Sequence, residues 1–337
     1  MAITIQDIAN HLNLAPSTVS KALNDYPHIS PNTRSRVLTA ARELDYVPSA
    51  AARNLRRRRT DKIGFSFSFP FSVMSDYVSG LIAGAVTAAE EQGYNLTLYP
   101  LLDDQVRQLT QICRAREVDG LLLLGRPQMA ETTLPLLKQE GIPFVVVGRW
   151  AEDQDISFVK PDDPSGAVAV TKHLIELGHQ RIGFTTRPSM GITSRDRFAG
   201  YKQALEEANI PFDKTLVVET NFEPESSYLA MNQLLDLDEP PTAVFAIHDL
   251  VAVDCLRAAV DRGLRVPQDI AIAGFDDWRI SLTTQPPLTT VQAPLEKMGA
   301  CAMDILLAQI SDPSRPPKRL ILPVELIVRQ STKVSRL

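Results

Sequence analysis

The chain has 337 residues, of which 44% are hydrophobic and 22% are charged, and its formal net charge is −5. Its start has no basic segment followed by an apolar one, and no apolar run is long enough to span a bilayer. We therefore expect a cytoplasmic protein without signal peptide or membrane anchor. Cys113, Cys255 and Cys301 are scattered without C-x-x-C spacing, which predicts buried reduced thiols and no metal site.

The first 47 residues carry the pattern of three short helices. Thr4 is a candidate cap for the first helix, Pro16 suits the first turn of the second, and the third runs over 31–44. The side chains expected to face inward are Ile5, Ile8, Ala9 and Leu12, then Val19, Ala22 and Leu23, then Val37, Leu38, Ala41 and Leu44. Two helices joined by a short turn and braced by a third form a helix-turn-helix unit, which inserts one helix into the DNA major groove. The alternative is a small helical bundle whose polar faces only meet water.

An alanine-rich stretch and four consecutive arginines follow at 48–59. Neighbouring like charges repel each other, so a short helix here is marginal in water until a polyanion neutralises it. This predicts a hinge that folds on DNA, and the alternative is a solvated linker. Of the 35 basic and 40 acidic side chains, residues 1–60 hold nine and four. A basic head on an acidic body places the polyanion site at the N-terminal end.

These stretches resemble the headpiece and hinge of the lactose-repressor (LacI/GalR) family of bacterial transcription regulators. The motifs are T-I-Q-D-I-A at 4–9, S-T-V-S-K-A-L-N at 17–24, I-S-P-N-T-R-S-R-V at 29–37 and E-L-D-Y-V-P-S-A-A-A-R-N-L at 43–55. The resemblance implies base readout from the second helix and a leucine wedge, Leu55, that enters the minor groove. The DNA-binding residues that it implies are Thr4, Pro16, Ser17, Thr18, Ser20, Lys21, Asn24, His28, Thr33, Arg53, Leu55 and Arg56.

Three features depart from the family pattern. Ala15 stands where a serine cap is common, so Pro16 must organise the first turn of the second helix. Ser17 is shorter than the usual base-reading side chain, which shifts direct readout toward Lys21. The arginine run at 56–59 is longer than usual, and we expect it to add sequence-independent affinity with a steeper salt dependence.

From residue 61 onward, strand patterns alternate with helix patterns in two successive series. The first series places strands at 62–66, 94–99, 120–124 and 143–147, with helices near 76–92, 103–117 and 130–140. The second series places strands at 181–185, 216–219, 243–247 and 270–275, with helices near 163–177, 194–209, 225–236 and 249–262. Uniformly apolar runs such as L-L-L-L are typical of parallel strands covered on both faces. A late helix at 295–310 and a strand-like segment at 319–328 are expected to complete both halves.

The predicted fold is thus an all-α headpiece plus an α/β core of two lobes, each a doubly wound parallel sheet. This core resembles the family's effector-binding domain, which is similar to periplasmic sugar-binding proteins. The predicted divisions are a headpiece at 1–47, a hinge at 48–60, a first lobe at 61–161 with 292–322, and a second lobe at 162–291 with 323–337. Prolines at 161, 164, 286 and 287 are expected to mark passages between the lobes.

Ligands of open α/β sheets bind beyond the carboxyl ends of the strands, so residues just after each strand are candidates. The candidate effector-binding residues are Asp76, Tyr77, Arg149, Asp163, Arg197, Phe222, His248, Asp249, Asp276 and Trp278. Carboxylates, an arginine and aromatic faces suit a polyhydroxylated ring. Arg197, in R-F-A-G-Y, and Asp276 match family cleft positions. The aromatic candidates are alternatively core residues, and Asp76, Asp163 and His248 are alternatively helix caps, the expected role of Asp163.

No nucleotide-binding loop, hydrolase elbow or metal-spaced histidine pair is present in the sequence, so we expect no enzyme and no cofactor. The predicted function is a homodimeric DNA-binding regulator, most simply a repressor, that binds a palindromic operator under control of a small molecule. G-F-D-D-W at 274–278 favours a sugar or disaccharide of the α-glucoside branch, whereas N-F-E-P-E-S at 221–226 also occurs in the purine branch. A sugar receptor without DNA function and a sugar kinase are the remaining alternatives. The short segment after Gln330 holds no heptad repeat, so no tail-built tetramer is expected.

Overall fold

The computed structural model describes residues 3–46, 59–67, 76–100, 105–124, 129–148, 155–188, 191–221 and 225–333. These residues form two compact units that divide between Thr60 and Asp61. The hinge predictions on Arg53, Leu55 and Arg56, and the core predictions on Arg149 and Phe222, lie outside the described residues. No helix in the described ranges is long and apolar enough to cross a membrane.

Three helices pack around a small apolar core in the N-terminal unit. They are α1 (Ile5–Leu12), α2 (Pro16–Leu23) and α3 (Pro31–Glu43). Ile8, Val19 and Val37 are fully buried at their centre. The prediction that Leu38 faces inward is wrong, because 37% of Leu38 is exposed. The buried face of α3 instead follows the i, i+3, i+4 spacing of Val37, Ala40 and Ala41.

Among the described residues of the C-terminal unit, the first sheet has six parallel strands in the order β11-β5-β4-β3-β1-β2. Its strands are β1 (Lys62–Phe67), β2 (Asn95–Pro100), β3 (Gly120–Leu124), β4 (Phe144–Val147), β5 (Phe158–Pro161) and β11 (Arg319–Leu322). The helices that accompany it are α4 (Asp76–Glu91), α5 (Gln105–Arg114), α6 (Met129–Gln139) and α12 (Leu295–Ser311). Apolar clusters cover both faces, as the unbroken apolar strands predict.

The second sheet has four parallel strands in the order β7-β6-β8-β9, within the same described ranges. Its strands are β6 (Ile182–Thr186), β7 (Val217–Glu219), β8 (Ala243–Phe245) and β9 (Ala271–Ala273). Its helices are α7 (Asp163–Glu176), α8 (Ile192–Glu207), α9 (Ser226–Leu235), α10 (Asp249–Asp261) and the short α11 (Ile280–Thr283). An antiparallel pair, β10 (Thr290–Gln292) with β12 (Glu325–Ile327), lies beside it.

Two details differ from the sequence predictions. β5 and β10 were not expected, because each is only three or four residues long and depends on distant partners. The single strand-like segment at 319–328 is in fact two strands, one for each sheet region. Pro161 is the last residue of β5 in the first sheet and Pro164 lies in the first turn of α7, so the chain leaves the first sheet between these two prolines.

Two glycines allow helices to cross at backbone distance. A Cβ on Gly84 of α4 would lie 1.8 Å from the Glu296 carbonyl oxygen of α12. A Cβ on Gly200 of α8 would lie 2.4 Å from the Pro164 carbonyl oxygen at the start of α7. The second crossing brings the preceding turn of α8, which contains Arg197, against the N-terminus of α7.

Candidate functional site

The outer face of α2 carries the side chains that were predicted to meet DNA. Ser17 and Lys21 are exposed, Thr18 and Ser20 are half-buried, and Val19 between them is buried in the headpiece core. α2 begins at Pro16, and Ala15 makes no side-chain cap, as expected from the departure noted in the sequence. The helix therefore presents short hydrogen-bonding groups and one ammonium to the outside, a set that fits base edges and phosphates in a major groove.

Three of the remaining described DNA candidates, Thr4, Asn24 and Thr33, form hydrogen bonds at helix ends, and His28 is exposed. The Thr4 hydroxyl accepts from the Asp7 amide at 3.3 Å while the Asp7 carboxylate accepts from the Thr4 amide at 2.8 Å, which forms a capping box. The side-chain amide of Asn24 donates to the backbone carbonyl oxygen of Ser20. Thr33 shares a hydroxyl contact of 2.8 Å with Ser30, which caps α3. These bonds hold the exposed ends of α1, α2 and α3 in place.

A buried ion cluster at the carboxyl end of the second sheet is the second candidate site. The Arg197 guanidinium, only 2% exposed, donates from Nε to Asp163 at 2.9 Å and from Nη2 to Asp276 at 2.7 Å. Its Nη1 donates to the Ile247 carbonyl oxygen at 2.6 Å. The guanidinium carbon lies 3.6 Å from the centre of the Phe275 ring, so one face of the cation is covered by an aromatic face.

The local sequence explains how this cluster forms. Asp163 is the first residue of α7, and the cap of that helix is its neighbour Asp162, which accepts from the Ser165 amide. The expectation that Asp163 caps the helix is therefore wrong, and its carboxylate is left for Arg197. Asp276 has φ = 100°, which is rare for a residue with a side chain. This strained backbone, anchored by the bond from the Asp276 amide to Val291, turns the carboxylate toward Arg197.

A second group of candidates surrounds the start of α10. The rings of His248 and Trp278 stack with centroids 5.6 Å apart, and both Asp249 oxygens accept hydrogen bonds, from the Trp278 amide and the Thr290 hydroxyl. Arg187 donates from Nη1 to Nε2 of His248 at 2.7 Å. The Nδ1 of His248 lies 3.4 Å from the Val251 amide as a helix cap. A neutral imidazole has one acceptor nitrogen, so it accepts from only one of these two donors at a time.

Two candidates reach the same region from the first sheet. Asp76, the first residue of α4, accepts from the Arg279 amide at the start of α11, which links the two sheet regions. The hydroxyl of Tyr77 is buried within the electrostatic reach of Asp276 and Asp163, and its pKa is raised above its usual value, mainly by burial and then by these carboxylates. These described candidates thus come from the regions of both sheets.

Burial and charge pairing determine the protonation of the cluster. Burial raises the pKa of Asp163, while Arg197 and Lys160 oppose the shift. Burial also raises the pKa of Asp249 well above its usual value and lowers that of His248 well below it, with Arg187 adding to the second shift. For Arg197 burial alone would lower the pKa, but the two carboxylates raise it. Arg197 is therefore always charged and His248 is neutral near pH 7.

Sequence reasoning missed several polar groups of this region. Lys160 on β5 pairs with Asp196 on α8, Arg187 follows β6, and the Asp277 carboxylate accepts from Arg329 at 2.6 Å. The last pair shows that Asp276 and Asp277 face different partners. Arg187 was detectable as a cation directly after a strand, whereas Lys160 lies in a strand that the sequence did not predict. Within the described ranges, no group of three or more His, Cys, Asp or Glu side chains could hold a metal ion.

Comparison with known proteins identifies the family. Residues 4–49 match the model of "Bacterial regulatory proteins, lacI family", and residues 171–332 match a "Periplasmic binding protein-like domain". A relative from Haemophilus influenzae strain PittEE, "HTH-type transcriptional repressor PurR", is 33% identical, with 98% of each chain covered. "HTH-type transcriptional regulator CelR" of Thermobifida fusca is 34% identical, covering 97% of this chain and 98% of the relative.

The chain belongs to the lacI family of bacterial regulatory proteins. Among solved structures, a "transcriptional regulator CelR-cellobiose complex" superposes with a TM-score of 0.75 at 32% identity, covering 98% of this chain and 99% of the other. A lac repressor dimer bound to operator superposes with a TM-score of 0.84 at 25% identity, covering 99% and 100%. This lacI-family protein is therefore a DNA-binding regulator with a small-molecule effector domain, and it is not an enzyme.

Proposed function

We propose that this lacI-family regulator is a homodimeric repressor whose affinity for a palindromic operator is set by a sugar or disaccharide. The observation that carries the proposal is the Asp163–Arg197–Asp276 cluster at the carboxyl ends of the strands of the second sheet, within electrostatic reach of Tyr77. Paired carboxylates and a fixed guanidinium bind vicinal hydroxyls in bidentate fashion, and aromatic rings cover the apolar face of a sugar.

Arg197 serves the proposed site in two ways. A guanidinium has five N–H groups, and the bonds from Nε, Nη1 and Nη2 to described residues occupy four of them. We infer that the remaining Nη2 hydrogen donates to an effector oxygen, while the same cation holds Asp163 and Asp276 in position as acceptors. The further contacts that we propose come from Asp76, Tyr77, Arg149, Phe222, His248, Asp249 and Trp278.

The proposal includes a division of the core into two lobes. We propose a headpiece at 1–47, a hinge at 48–60, and lobes at 61–161 with 292–322 and 162–291 with 323–337. The strands of the first sheet fall in the first of these lobes, and those of the second sheet in the other. Effector binding between the lobes would change the distance between the two hinges of a dimer, and with it the ability of Leu55 to enter the minor groove.

A purine effector is the second candidate. It is favoured by the Haemophilus influenzae PurR relative, which is 33% identical over nearly the whole chain, and by the N-F-E-P-E-S stretch at 221–226. The sugar proposal is supported by the cellobiose-bound CelR structure and by a relative named "Ribose operon repressor" at 32% identity. The chemistry of the described cluster, which is rich in carboxylates, favours donors such as sugar hydroxyls.

Thermal unfolding with a panel of ligands tests the effector class. The panel contains cellobiose, maltose, sucrose, ribose, hypoxanthine and guanine. A ligand at about 100 times its dissociation constant stabilises the fold by about 2.7 kcal/mol, which raises Tm by about 5 °C. A shift with hypoxanthine alone would replace the sugar proposal by the purine one. An Arg265→Met variant, changed at a pair with Asp269 on the surface, is the control and should keep the response.

Genomic fragments selected by the purified protein test the DNA function. We expect a palindromic duplex to be bound more tightly than its scrambled version, and the panel ligand to change that affinity. Leu55→Ala should weaken binding to the palindrome while it leaves binding to scrambled duplex unchanged. Equal affinity for both duplexes, with and without each ligand, would refute the operator proposal.

A further inference from the structure

We propose that Lys160 is a positioning residue for the effector site. Lys160 connects the Asp163–Arg197 pair of the second sheet region to β5, the last strand of the first sheet before the chain crosses to the second. This inference rests on the proposed effector role of Arg197. It concerns a residue that makes no contact with Arg197 itself and that the sequence patterns did not single out.

The position of Lys160 in the fold gives it this role. Lys160 lies in β5, which pairs with β4 and β11 in the first sheet. Two residues later the chain reaches the Asp162 cap of α7, which packs on the second sheet. The backbone of Lys160 is therefore fixed by the first sheet, immediately before the chain crosses to the second.

The side chain of Lys160 is directed to the second sheet region. Its ammonium, in a side chain 4% exposed, donates to a carboxylate oxygen of Asp196 and lies 4.0 Å from an oxygen of Asp163. Asp196 precedes Arg197 on α8, and the other oxygen of Asp163 accepts from Arg197. Positive and negative charges thus alternate from Lys160 through Asp163 and Arg197 to Asp276. Asp196 forms a further ion pair with Lys160.

The energetic consequence follows from the balance of these buried charges. The cluster contains the carboxylates of Asp163, Asp196 and Asp276 against the cations of Arg197 and Lys160, with the Tyr77 hydroxyl facing it from α4. Without Lys160, Asp196 would lose its ion-pair partner, and Asp163 would keep only the guanidinium that it already shares with Asp276. An unpaired buried carboxylate takes up a proton, and here Lys160 is one of two cations that oppose the upward pKa shift of Asp163.

Neutral Asp163 would no longer hold the charged Arg197 by an ion pair. Lys160 thus maintains the ionised form of Asp163 and, through it, the orientation of Arg197. Because Lys160 belongs to one sheet and Asp163, Asp196 and Arg197 to the elements of the other, the same contacts also tie the effector cluster to the junction between the sheets.

Two measurements on Lys160→Met test this role, and they should depend on pH in opposite directions. In the variant the folded-state pKa of Asp163 rises further above its unfolded value, so the folded state binds the extra proton and stability is lost as pH rises. We expect the Tm deficit relative to wild type to widen by about 3 °C or more between pH 5 and pH 8. Binding of cellobiose, measured by calorimetry, should instead weaken most at the acidic end, by about tenfold, because there Asp163 is neutral.

Lys160→Arg keeps the charge and is the matched control, and Lys160→Gln replaces Lys160→Met if that variant does not fold. Lys160→Arg should show the same dependence of Tm and of cellobiose affinity on pH as wild type. A Tm deficit in Lys160→Met that is the same at pH 5 and pH 8 would overturn the proposal, as would unchanged cellobiose affinity at pH 5. If wild type does not bind cellobiose, that sugar is removed from the proposed function, and the pH profile of unfolding still decides the role of Lys160.

Discussion

Replacing Arg197 by methionine is the most direct test of the buried ion cluster. The substitution keeps an unbranched side chain but removes the donors to Asp163, Asp276 and the Ile247 carbonyl oxygen. It also removes the cation from the face of Phe275. Two carboxylates then remain buried, 3% and 5% exposed, without their shared counter-ion.

The magnitude follows from this loss of pairing. Breaking a buried ion pair by removing one partner costs about 3–5 kcal/mol, because the partner charge is left without compensation. Whole domains are stable by only about 5–15 kcal/mol. We therefore expect Tm to fall by about 6 °C or more. The deficit should be smaller at pH 5 than at pH 8, because protonation of Asp163, whose pKa burial already raises, relieves the unpaired charge at acidic pH.

Thermal unfolding of the full chain at pH 5 and pH 8 measures this effect, and Arg265→Met is the control. Arg265 forms an i, i+4 pair with Asp269, but 73% of its side chain is exposed, so its loss should leave Tm near that of wild type. If Arg197→Met at pH 8 is as stable as Arg265→Met, the cluster does not carry the energy that its geometry implies. A second variant, Asp163→Asn with Arg197→Met, should recover part of the deficit.

Two further predictions concern the packing of the core and the reading of DNA. Gly84→Ala would place a Cβ 1.8 Å from the Glu296 carbonyl oxygen and would force α4 and α12 apart. The cost of about 1–3 kcal/mol exceeds the gain in helix propensity, so the urea midpoint of unfolding should fall. Thr87→Ala, on the exposed side of the same helix, should not lower it. Lys21→Ala should weaken operator binding and reduce the slope of log affinity against log salt by about 1, as fluorescence anisotropy would show. An equal loss of affinity for scrambled duplex would assign Lys21 to phosphate contact alone. The control is Lys297→Ala, an exposed residue of α12, which should change neither the operator affinity nor the salt slope.

The fold was predictable wherever the residues of a segment determine its secondary structure without help from distant partners. β3 was predicted at its observed bounds, because G-L-L-L-L has no polar residue and suits only a strand covered on both faces. β5 was missed because a lysine and a proline stand among its four residues, and it is a strand only through its pairing with β4 and β11. The same holds for β10, which is defined by an antiparallel partner 33 or more residues away.

The members of the buried ion cluster were predictable where a sequence motif identifies the residue, and not where only a tertiary contact does. Arg197 and Asp276 lie in motifs that the sequence shows directly, and the structure joins them at 2.7 Å. In the pair of neighbouring aspartates at 162 and 163, the sequence did not tell which one caps α7, because either fits the first turn. Lys160 and Asp196, which are 36 residues apart, meet only because β5 and α8 are brought together by the tertiary fold.

The contacts already present between the two sheet regions limit how an effector acts. Asp76 accepts from the Arg279 amide and Lys160 pairs with Asp196, and both contacts join the two sheet regions. Arg197 already has acceptors for four of its five N–H groups. A ligand shifts a conformational equilibrium only by its difference in affinity for the two states, and about 5.5 kcal/mol is needed to invert a 1:99 ratio. The proposed effector cannot draw that difference from Arg197 alone, so it must come from contacts that span both sheets, of which Tyr77 and Trp278 are the described aromatic members.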